Sequence, residues 1–423
     1  MAKRVVVTGI GMVSSVGNSF SESFENAVNA RSGIDLIKKF DTSSSTVKVG
    51  GEVKNLKLDQ DLEKYLLHKS RAPFINYALS SSFEAFKMSG LSHEDFSKVK
   101  SGSIYGIGMT STTYMDEMTR LLAIKESGNP YENCPSIFTE GLNYENSSMH
   151  SLFNYYKSIY GINGLSYVVT TACASGTHAV GEAFLAIKQG LADIMITGGS
   201  EDALTASGLK SFEVLTALTN SNERGSSASR PFDISRNGFV MGDGSGTLIL
   251  EELEHAKKRG AKILCEVVGF GLSTDANHVT APPEDGSGAA RAMEVALRVG
   301  KLNKNEIHYI NAHGTSTKLN DKAESIAMAK VFNEYAKNIS ISSTKSVTGH
   351  CLGGAGGIEA VLSVGALVNK VVPPTAHLHE QDPDCLGLDF TPLKSKEREI
   401  NAVMSNSLGF GGVNASIIFK KYK

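Results

Sequence analysis

The sequence has few of the features that mark secreted, membrane-spanning or nucleic-acid-binding proteins. Its five cysteines are odd in number and form no CxxC pair, which argues against a disulfide framework or a zinc site and for a reducing compartment. No apolar run reads as a membrane span, and no signal peptide opens the chain. The 42 basic and 44 acidic residues are interspersed, so they offer no polybasic surface for nucleic acid or membrane. We therefore expect a cytoplasmic protein.

Length and pattern indicate a large α/β protein. The 423 residues, 41 % of them hydrophobic, allow two or three domains or one large duplicated unit. Strand-like and helix-like patterns alternate along the chain, which is typical of layered sheets and helices. Two short echoes favour a duplication, because residues 6–12 resemble residues 266–272, and residues 105–111 resemble residues 311–316. They predict two related α/β halves.

The predicted halves span residues 1–255 and 263–423. An irregular insertion, at about residues 112–160, interrupts the first half. It is polar and aromatic, and Asn129-Pro130 and Cys134-Pro135 break its pattern. Such excursions commonly build substrate pockets or oligomer contacts.

The most informative stretch of the chain surrounds Cys173. The run from Tyr167 to Thr171 is apolar and β-branched and predicts a buried strand, and the apolar spacing from Ala179 to Ile187 predicts a helix after it. Cys173 then lies where a strand passes into a helix N-terminus. Free N–H groups and the helix dipole favour the thiolate there, which is the nucleophilic form of cysteine. A buried structural cysteine is the alternative for such a residue taken alone.

Two histidines lie in similar settings far downstream. His313 follows the strand-like run 307–310, and His350 follows the run 339–341 and precedes the glycine-rich segment 353–357. Ligand sites of open α/β sheets form at the carboxyl ends of strands. Each histidine alone also fits a hydrogen-bonded structural role. One cysteine and two histidines at strand ends together indicate a cysteine nucleophile site.

Six motifs give the chain a specific resemblance to a known family. They are Thr171–Gly176, Ser229–Asp233, Gly238–Gly244, Asn311–Thr317, Thr344–His350 and Asn406–Gly412. With these motifs the chain resembles, over nearly its whole length, the thiolase-fold condensing enzymes, and within them the β-ketoacyl-[acyl-carrier-protein] synthases of type II. The resemblance implies an α/β, duplicated thiolase-like fold, layered α-β-α-β-α with two mixed sheets.

The resemblance also implies a reaction, a decarboxylative Claisen condensation in fatty acid synthesis. Cys173 would take an acyl group from a carrier thioester, malonyl-carrier would lose CO₂, and the resulting enolate would attack the acyl-cysteine to release 3-oxoacyl-carrier. Two histidines mark elongating synthases, since enzymes that start chains from acyl-CoA carry asparagine at the equivalent of one of them. The implied partners are acyl carrier protein and a second copy of the chain. No cofactor, metal, nucleic acid or membrane is expected.

The resemblance assigns roles around the nucleophile. The backbone N–H groups of Cys173 and Phe410 would form an oxyanion hole, and Gly409 and Gly411 would allow close backbone approach there. Phe410 would also act as a gate between the acyl pocket and the malonyl side. Without the family, the same glycines are compatible with an ordinary tight turn.

A second set of roles concerns the malonyl side. His313 and His350 would each offer an N–H to the malonyl thioester oxygen, and Lys345 would stabilise negative charge. Four further positions match the family less specifically, namely Asp321, Glu324 and Glu359 behind the lysine and histidines and Phe212 in the acyl pocket. Because the implied carrier is acidic, we expect a basic rim near the tunnel, for which Lys64, Lys69 and Arg71 are candidates. Acids at a helix start are favourable in any protein, and a basic cluster on a helix is usually just solvated.

Two departures from the family pattern leave alternatives open. Lys318 stands where the family usually has proline, and the segment 144–151 differs from the family stretch that lines the acyl pocket and dimer interface. A ketosynthase of a specialised polyketide or secondary-metabolite pathway is therefore one alternative. A non-condensing, chain-length-factor-like partner subunit is another, and a decarboxylase is a third. Both of the latter usually lack the cysteine, which is present here as Cys173.

Overall fold

The structure is a computed structural model that describes residues 3–66, 70, 72–109, 112, 113, 116 and 148–423. The strands up to residue 255 are β1 (Val5–Ser14), β2 (Asp35–Leu36), β3 (Val49–Gly50), β4 (Ser101–Gly106), β5 (Ser166–Val169), β6 (Ile194–Glu201) and β7 (Gly244–Glu252). The helices that begin before residue 255 are α1 (Phe20–Val28), α2 (Gln60–Glu63), α3 (Pro73–Ser89), α4 (His93–Lys98), α5 (Ser151–Tyr160), α6 (Ser175–Lys188), α7 (Ala206–Val214) and α8 (Leu253–Lys258).

The remaining elements follow residue 263. The strands are β8 (Cys265–Thr274), β9 (Tyr309–Asn311), β10 (Ser340–Ser342), β11 (Val371–Val372), β12 (Lys396–Glu397), β13 (Ala402–Gly409) and β14 (Val413–Lys420). The α-helices are α9 (Ser287–Gly300), α10 (Lys318–Phe332), α11 (Lys345–Thr348) and α12 (Leu352–Asn369). Short 3₁₀ turns lie at Asn222–Ser227, Lys304–Glu306, Asn333–Asn338 and Pro383–Cys385.

Ten strands of the described chain form two groups with the same order and the same directions. The first group runs β5-β4-β6-β7-β1, and the second runs β10-β9-β13-β14-β8. In each group the first three strands are parallel and the last two pair antiparallel. Both sheets are therefore mixed, as expected. The two sequence echoes fall on equivalent places, in β1 and β8 and at the ends of β4 and β9.

The two groups join edge to edge and enclose a helical layer. β1 pairs with β8 over three residue pairs, from Val5–Val267 to Val7–Cys265, so the two sheets form one continuous ladder of hydrogen bonds. Helices α6 and α12 contact strands of both groups, α3 covers β1 and β7, and α9 covers β8 and β14. This is the layered α-β-α-β-α arrangement, with the nucleophile-bearing helix in its middle layer.

The central helix α12 is mostly apolar because nearly all of it is covered by other elements. Its length and hydropathy would suit a membrane span, but 89 % of that window is buried inside the molecule. Glycines let its backbone touch its neighbours. A Cβ on Gly356 would come within 2.4 Å of the Thr177 nitrogen, and one on Gly357 within 2.4 Å of the Gly199 nitrogen.

Two sequence expectations about the first half have different outcomes. β5 is the outer strand of its group and its four residues are half-buried, so the expectation of a buried strand there is wrong. A short β-branched run does not reveal whether it lies at the centre or at the edge of a sheet.

Most of the predicted insertion lies outside the described residues. Its described end contains α5, whose Leu152 and Tyr156 pack into a buried cluster.

Candidate active site

The site forms at the carboxyl ends of the parallel strands. β10, β9 and β13 are adjacent and parallel, so the residues that follow them meet at one edge of the sheet. His313 follows β9, Lys345 follows β10, and Phe410 follows β13. β5 of the other group is followed by Cys173. The duplicated fold thus brings the nucleophile from one half and the histidines from the other into one place.

Cys173 lies on a tight strand-to-helix turn. Ala172, the residue before it, has a left-handed backbone with φ of 49°, which is a strained conformation for a residue with a side chain. The Ser175 hydroxyl ties the turn together, because it accepts a hydrogen bond from the Thr171 nitrogen at 2.9 Å and donates to the Ala172 carbonyl at 2.6 Å. The turn lies where the sequence predicts the strand to pass into the helix.

The thiol of Cys173 is more difficult to ionise than the sequence indicates. Burial raises its pKa to about 11, and nearby Glu201 acts in the same direction. The Phe410 N–H, Lys345 and the Cys173 N–H lower the pKa, but burial is the larger effect. The expectation of a stabilised thiolate in the resting protein is therefore wrong, since a helix N-terminus cannot offset the loss of water around a buried sulfur.

The raised pKa of the Cys173 thiol leads to a prediction about its chemical labelling. We expect iodoacetamide to modify Cys173 before Cys265, Cys351 and Cys385, because burial raises the pKa of Cys385 to about 12 and those of the other two far above the ordinary value. The Cys173 rate should rise about tenfold per pH unit between about pH 7 and pH 9, as the thiolate fraction grows. Peptide mapping by mass spectrometry measures the labelling rate of each cysteine. Cys134, which lies outside the described residues, is replaced by alanine so that it does not react. A rate that levels off below about pH 8 would contradict the raised pKa.

The two histidines face each other in the interior. Their ring centroids lie 5.2 Å apart with the planes at 85°, and each residue is 2 % exposed. Burial and the nearby Lys345 charge lower the pKa of both far below the ordinary value. Both imidazoles are therefore neutral at pH 7, and a neutral imidazole has one N–H to donate.

Lys345 sets the tautomer of His313. Its ammonium donates to the His313 carbonyl at 2.7 Å and lies 3.3 Å from His313 Nδ1. An ammonium only donates, so Nδ1 is the acceptor and the His313 proton is on Nε2. Glu359 pairs with the same ammonium, and both side chains are buried. Glu324 accepts bonds from the His313 and Gly314 nitrogens, both at 2.8 Å, and fixes the backbone of this turn.

Asp321 has a different role from the one expected. Its carboxylate accepts hydrogen bonds from the Phe232 nitrogen at 2.9 Å and the Ser316 nitrogen at 3.2 Å, and it lies 3.4 Å from Arg236. It thereby ties α10 to the 229–238 loop. The resemblance assigns it to positioning the lysine and histidines, but its carboxylate contacts neither directly, because at the start of α10 it faces that loop, whereas Glu324 faces the His313 turn.

The turn that carries Phe410 uses its glycines in two ways. A Cβ on Gly409 would lie 3.0 Å from the Thr171 carbonyl oxygen, so this glycine permits the close approach to the nucleophile turn that was expected. Gly411 has open space around it but a φ of 85°, so it is required by its backbone conformation and not by close approach. The resulting turn aims the Phe410 N–H at the Cys173 sulfur.

A chain of aromatic rings connects this turn to the histidines. Phe410 lies 6.3 Å from Phe212, Phe212 lies 5.6 Å from Phe239, and Phe239 lies 5.2 Å from His350, centroid to centroid. Phe212 contacts both Phe410 and Phe239, and its place in an acyl pocket stays a prediction. Sequence reasoning did not single out Phe239, although it lies within one of the six motifs.

The nucleophile, the two histidines and the Phe410 turn share one cavity of about 500 Å³. Cys173, His313, His350, Gly409 and Phe410 line it, while Lys345, Glu324 and Glu359 lie behind its wall. Within the described ranges no three His, Cys, Asp or Glu side chains are grouped to hold a metal ion.

Of the three basic candidates for carrier binding, the structure describes only Lys64, which does not line this cavity. Lys64 is an exposed side chain paired with Asp61 at 2.6 Å. Lys69 and Arg71 lie outside the described residues. The structure therefore gives no support to this rim.

A buried cysteine that shares a cavity with two neutral histidines, on a duplicated five-layer α/β framework, is the arrangement of thiolase-like condensing enzymes. The sequence matches the N-terminal domain model of β-ketoacyl synthases over residues 2–256 and the C-terminal domain model over residues 264–379. The chain belongs to the β-ketoacyl synthase family and is an acyltransferase of the condensing type.

Two comparisons with named proteins agree with this assignment. The chain is 40 % identical over 421 residues to 3-oxoacyl-[acyl-carrier-protein] synthase 2 of Synechocystis, covering 100 % of this chain and 99 % of the relative. It is 40 % identical to the protein of the same name from Vibrio cholerae, with 99 % of each chain covered.

Solved structures agree as well. A type II polyketide ketosynthase, solved with its acyl-carrier protein and a hexaketide, superimposes with a TM-score of 0.88 at 32 % identity. A β-ketoacyl synthase from Burkholderia phymatum gives 0.87 at 33 % identity. Each superposition covers 100 % of both chains.

Proposed function

We propose that the protein elongates acyl chains on an acyl carrier protein by decarboxylative condensation with malonyl-carrier, in fatty acid synthesis. The observation that carries the proposal is the single cavity lined by Cys173, His313 and His350, with both imidazoles neutral. The relatives named 3-oxoacyl-[acyl-carrier-protein] synthase 2 support the substrate class. A neighbour solved in complex with its acyl-carrier protein supports the partner.

The first step is transfer of the acyl group to Cys173. The sulfur attacks the thioester carbonyl, a C–S bond to the enzyme forms, and the C–S bond to the carrier breaks. The thiol proton of Cys173 ends on the carrier sulfur, so the two sulfurs exchange an acyl group for a proton. The N–H groups of Cys173 and Phe410 face the sulfur and would stabilise the oxyanion that develops beside it.

The second step is loss of CO₂ from malonyl-carrier. The C–C bond to the carboxylate breaks, and its electron pair moves onto the thioester as an enolate. The Nε2–H of His313, fixed by Lys345, and the N–H of His350 would donate to that oxygen as its charge grows. The enolate carbon then attacks the acyl-cysteine carbonyl. Cys173 leaves as a thiolate and takes up one proton, and 3-oxoacyl-carrier is released.

The proposal is tested by incubating the protein with malonyl-carrier and acyl-carriers of increasing chain length, and by weighing the products. One elongation to a 3-oxoacyl-carrier is expected for each acyl-carrier accepted. Repeated extension without reduction would instead identify a polyketide synthase. That second candidate is favoured by neighbours solved as ketosynthases of polyketide type or with a chain length factor. A non-condensing subunit would give no elongated product.

We also propose that two copies form a dimer through β5. Among the described strands, β5 is outermost and pairs on one side only, and its Tyr167, Val168 and Val169 are half-buried, so another strand can extend this edge. Sedimentation should therefore show a species of twice 45.1 kDa at micromolar concentration. Val168→Lys should shift it toward the single chain, because a charge on a sheet edge opposes pairing. A wild-type protein that sediments only at 45.1 kDa would refute this.

A cytoplasmic location remains part of the proposal. The mechanism needs Cys173 as a free thiol, and a reducing compartment keeps thiols free.

A further inference from the structure

Lys318 occupies the outer end of the active-site cavity. It lines the same cavity as Cys173, but its side chain is 53 % exposed, whereas Cys173 is 5 % exposed. The other charged or titratable side chains that line the outer part are Asp275 and His278. Among the described residues that line the cavity, Lys318 is the only lysine or arginine. A substrate that enters from this end passes it on the way to Cys173.

The contacts of Lys318 leave its charge available. Its ammonium donates one hydrogen bond, to the Ile234 carbonyl, and lies 3.6 Å from Asp382 Oδ2. That oxygen already accepts a 2.6 Å bond from the buried Arg236, so Lys318 is the outer and weaker partner. An ammonium has three N–H donors. The described contacts use one of them, and the others are free to bind an anion at the cavity mouth.

The local structure does not require a lysine at this position. Lys318 is the first residue of α10, where a positive charge opposes the helix dipole. Proline is favoured at that position because its fixed φ suits a helix start and no N–H is lost, and the family usually has proline there. A residue that opposes the helix dipole and faces the substrate entrance is a candidate for recognition of substrate.

We propose that Lys318 binds the phosphodiester of the prosthetic arm on which the carrier presents its thioester. The inference rests on the proposed function, because it takes the carrier as the substrate. With the thioester at Cys173, the arm leaves through the mouth that Lys318 lines, and the phosphate follows the thioester along that arm. An ammonium is a suitable partner for a phosphate as a compact positive charge. Lys318 is then a binding residue for the substrate at the cavity mouth.

The test compares two small acyl donors that differ only in the phosphate, acyl-pantetheine and acyl-4′-phosphopantetheine, by following acylation of Cys173 with intact-mass measurement. Lys318→Met should raise KM for the phosphorylated donor by about threefold to tenfold, with kcat unchanged. The same variant should leave the unphosphorylated donor unaffected, which also shows that it folds. Lys318→Arg should restore the wild-type preference. Lys322→Met is the matched control, since Lys322 lies one turn along α10 and pairs with Asp384 at 3.0 Å, away from the cavity.

Three outcomes decide the inference. A KM increase confined to the phosphorylated donor supports it. Equal effects of Lys318→Met on both donors, or none on either, overturn it while the proposed function stands. A wild-type protein that takes no acyl group from either donor or from acyl-carrier overturns the proposed function as well. Repeating the comparison with acyl-coenzyme A and acyl-carrier shows which source of the phosphate the enzyme accepts.

Discussion

Cys173→Ala should abolish condensation, lowering it on the order of 10⁵-fold or more, because no acyl-enzyme can form without the sulfur. The structure leaves no substitute nucleophile among the described cysteines. Cys265, Cys351 and Cys385 are all buried, and none of them lines the cavity. Decarboxylation of malonyl-carrier should persist in this variant, since the two histidines and Lys345 remain in place.

The measurement for this variant separates the two half-reactions. Intact mass after incubation with acyl-carrier reports acylation, and release of CO₂ from malonyl-carrier reports decarboxylation. Cys265→Ala is the matched control, because Cys265 is buried in β8 and does not line the cavity. Formation of 3-oxoacyl-carrier by the Cys173→Ala protein would show that the nucleophile is misassigned.

His313→Ala and His350→Ala should impair decarboxylation and spare acyl transfer, the reverse of the effect of Cys173→Ala. Each removes an N–H donor aimed at charge that appears during decarboxylation, so loss of CO₂ should fall roughly 10²–10³-fold. Acyl transfer to Cys173 should survive, because its oxyanion is served by the Cys173 and Phe410 N–H groups. Since the pKa of both histidines lies far below the ordinary value, protonation of these imidazoles should not lower wild-type decarboxylation as the pH drops from about 8 to about 6.5. A fall in that range is expected only from Glu324 and Glu359, because burial raises the pKa of each to about 7.

The histidine variants also have a matched control. His308 lies before β9, at the opposite end of that strand from His313, and His308→Ala should leave both half-reactions unchanged. A histidine variant that loses acyl transfer yet decarboxylates malonyl-carrier normally would reverse the roles. The site would then work as a Cys–His acyltransferase.

Much of this site follows from local sequence rules. His313 and Lys345 follow short apolar runs, and the rule that ligands bind at the carboxyl ends of parallel strands places them together. The structure shows why the rule succeeds, because β10, β9 and β13 are neighbours in one parallel set. The local pattern also singled out Cys173, whereas Phe410 and the role of Lys345 came from the motifs and their resemblance.

What the sequence did not reveal depends on packing between distant segments. The raised pKa of Cys173 results from burial under surrounding elements, and no local pattern reports how much water those elements exclude. The edge position of β5 is set by which strands pair, and its own composition resembles that of an interior strand. Asp321 and Glu324 lie three residues apart on α10, yet only Glu324 reaches the His313 turn. The boundary near residues 255–263 stays a prediction.

The most direct test of the account is one coupled measurement on the wild-type protein. The enzyme is loaded from acyl-carrier, malonyl-carrier is added, and the mass of the Cys173 peptide, the carrier product and the released CO₂ are followed together. The account predicts that the acyl mass leaves Cys173 as 3-oxoacyl-carrier forms, with one CO₂ released per product. An acyl group that stays on Cys173 while CO₂ is released, or a product that keeps the malonyl carboxyl group, would contradict it.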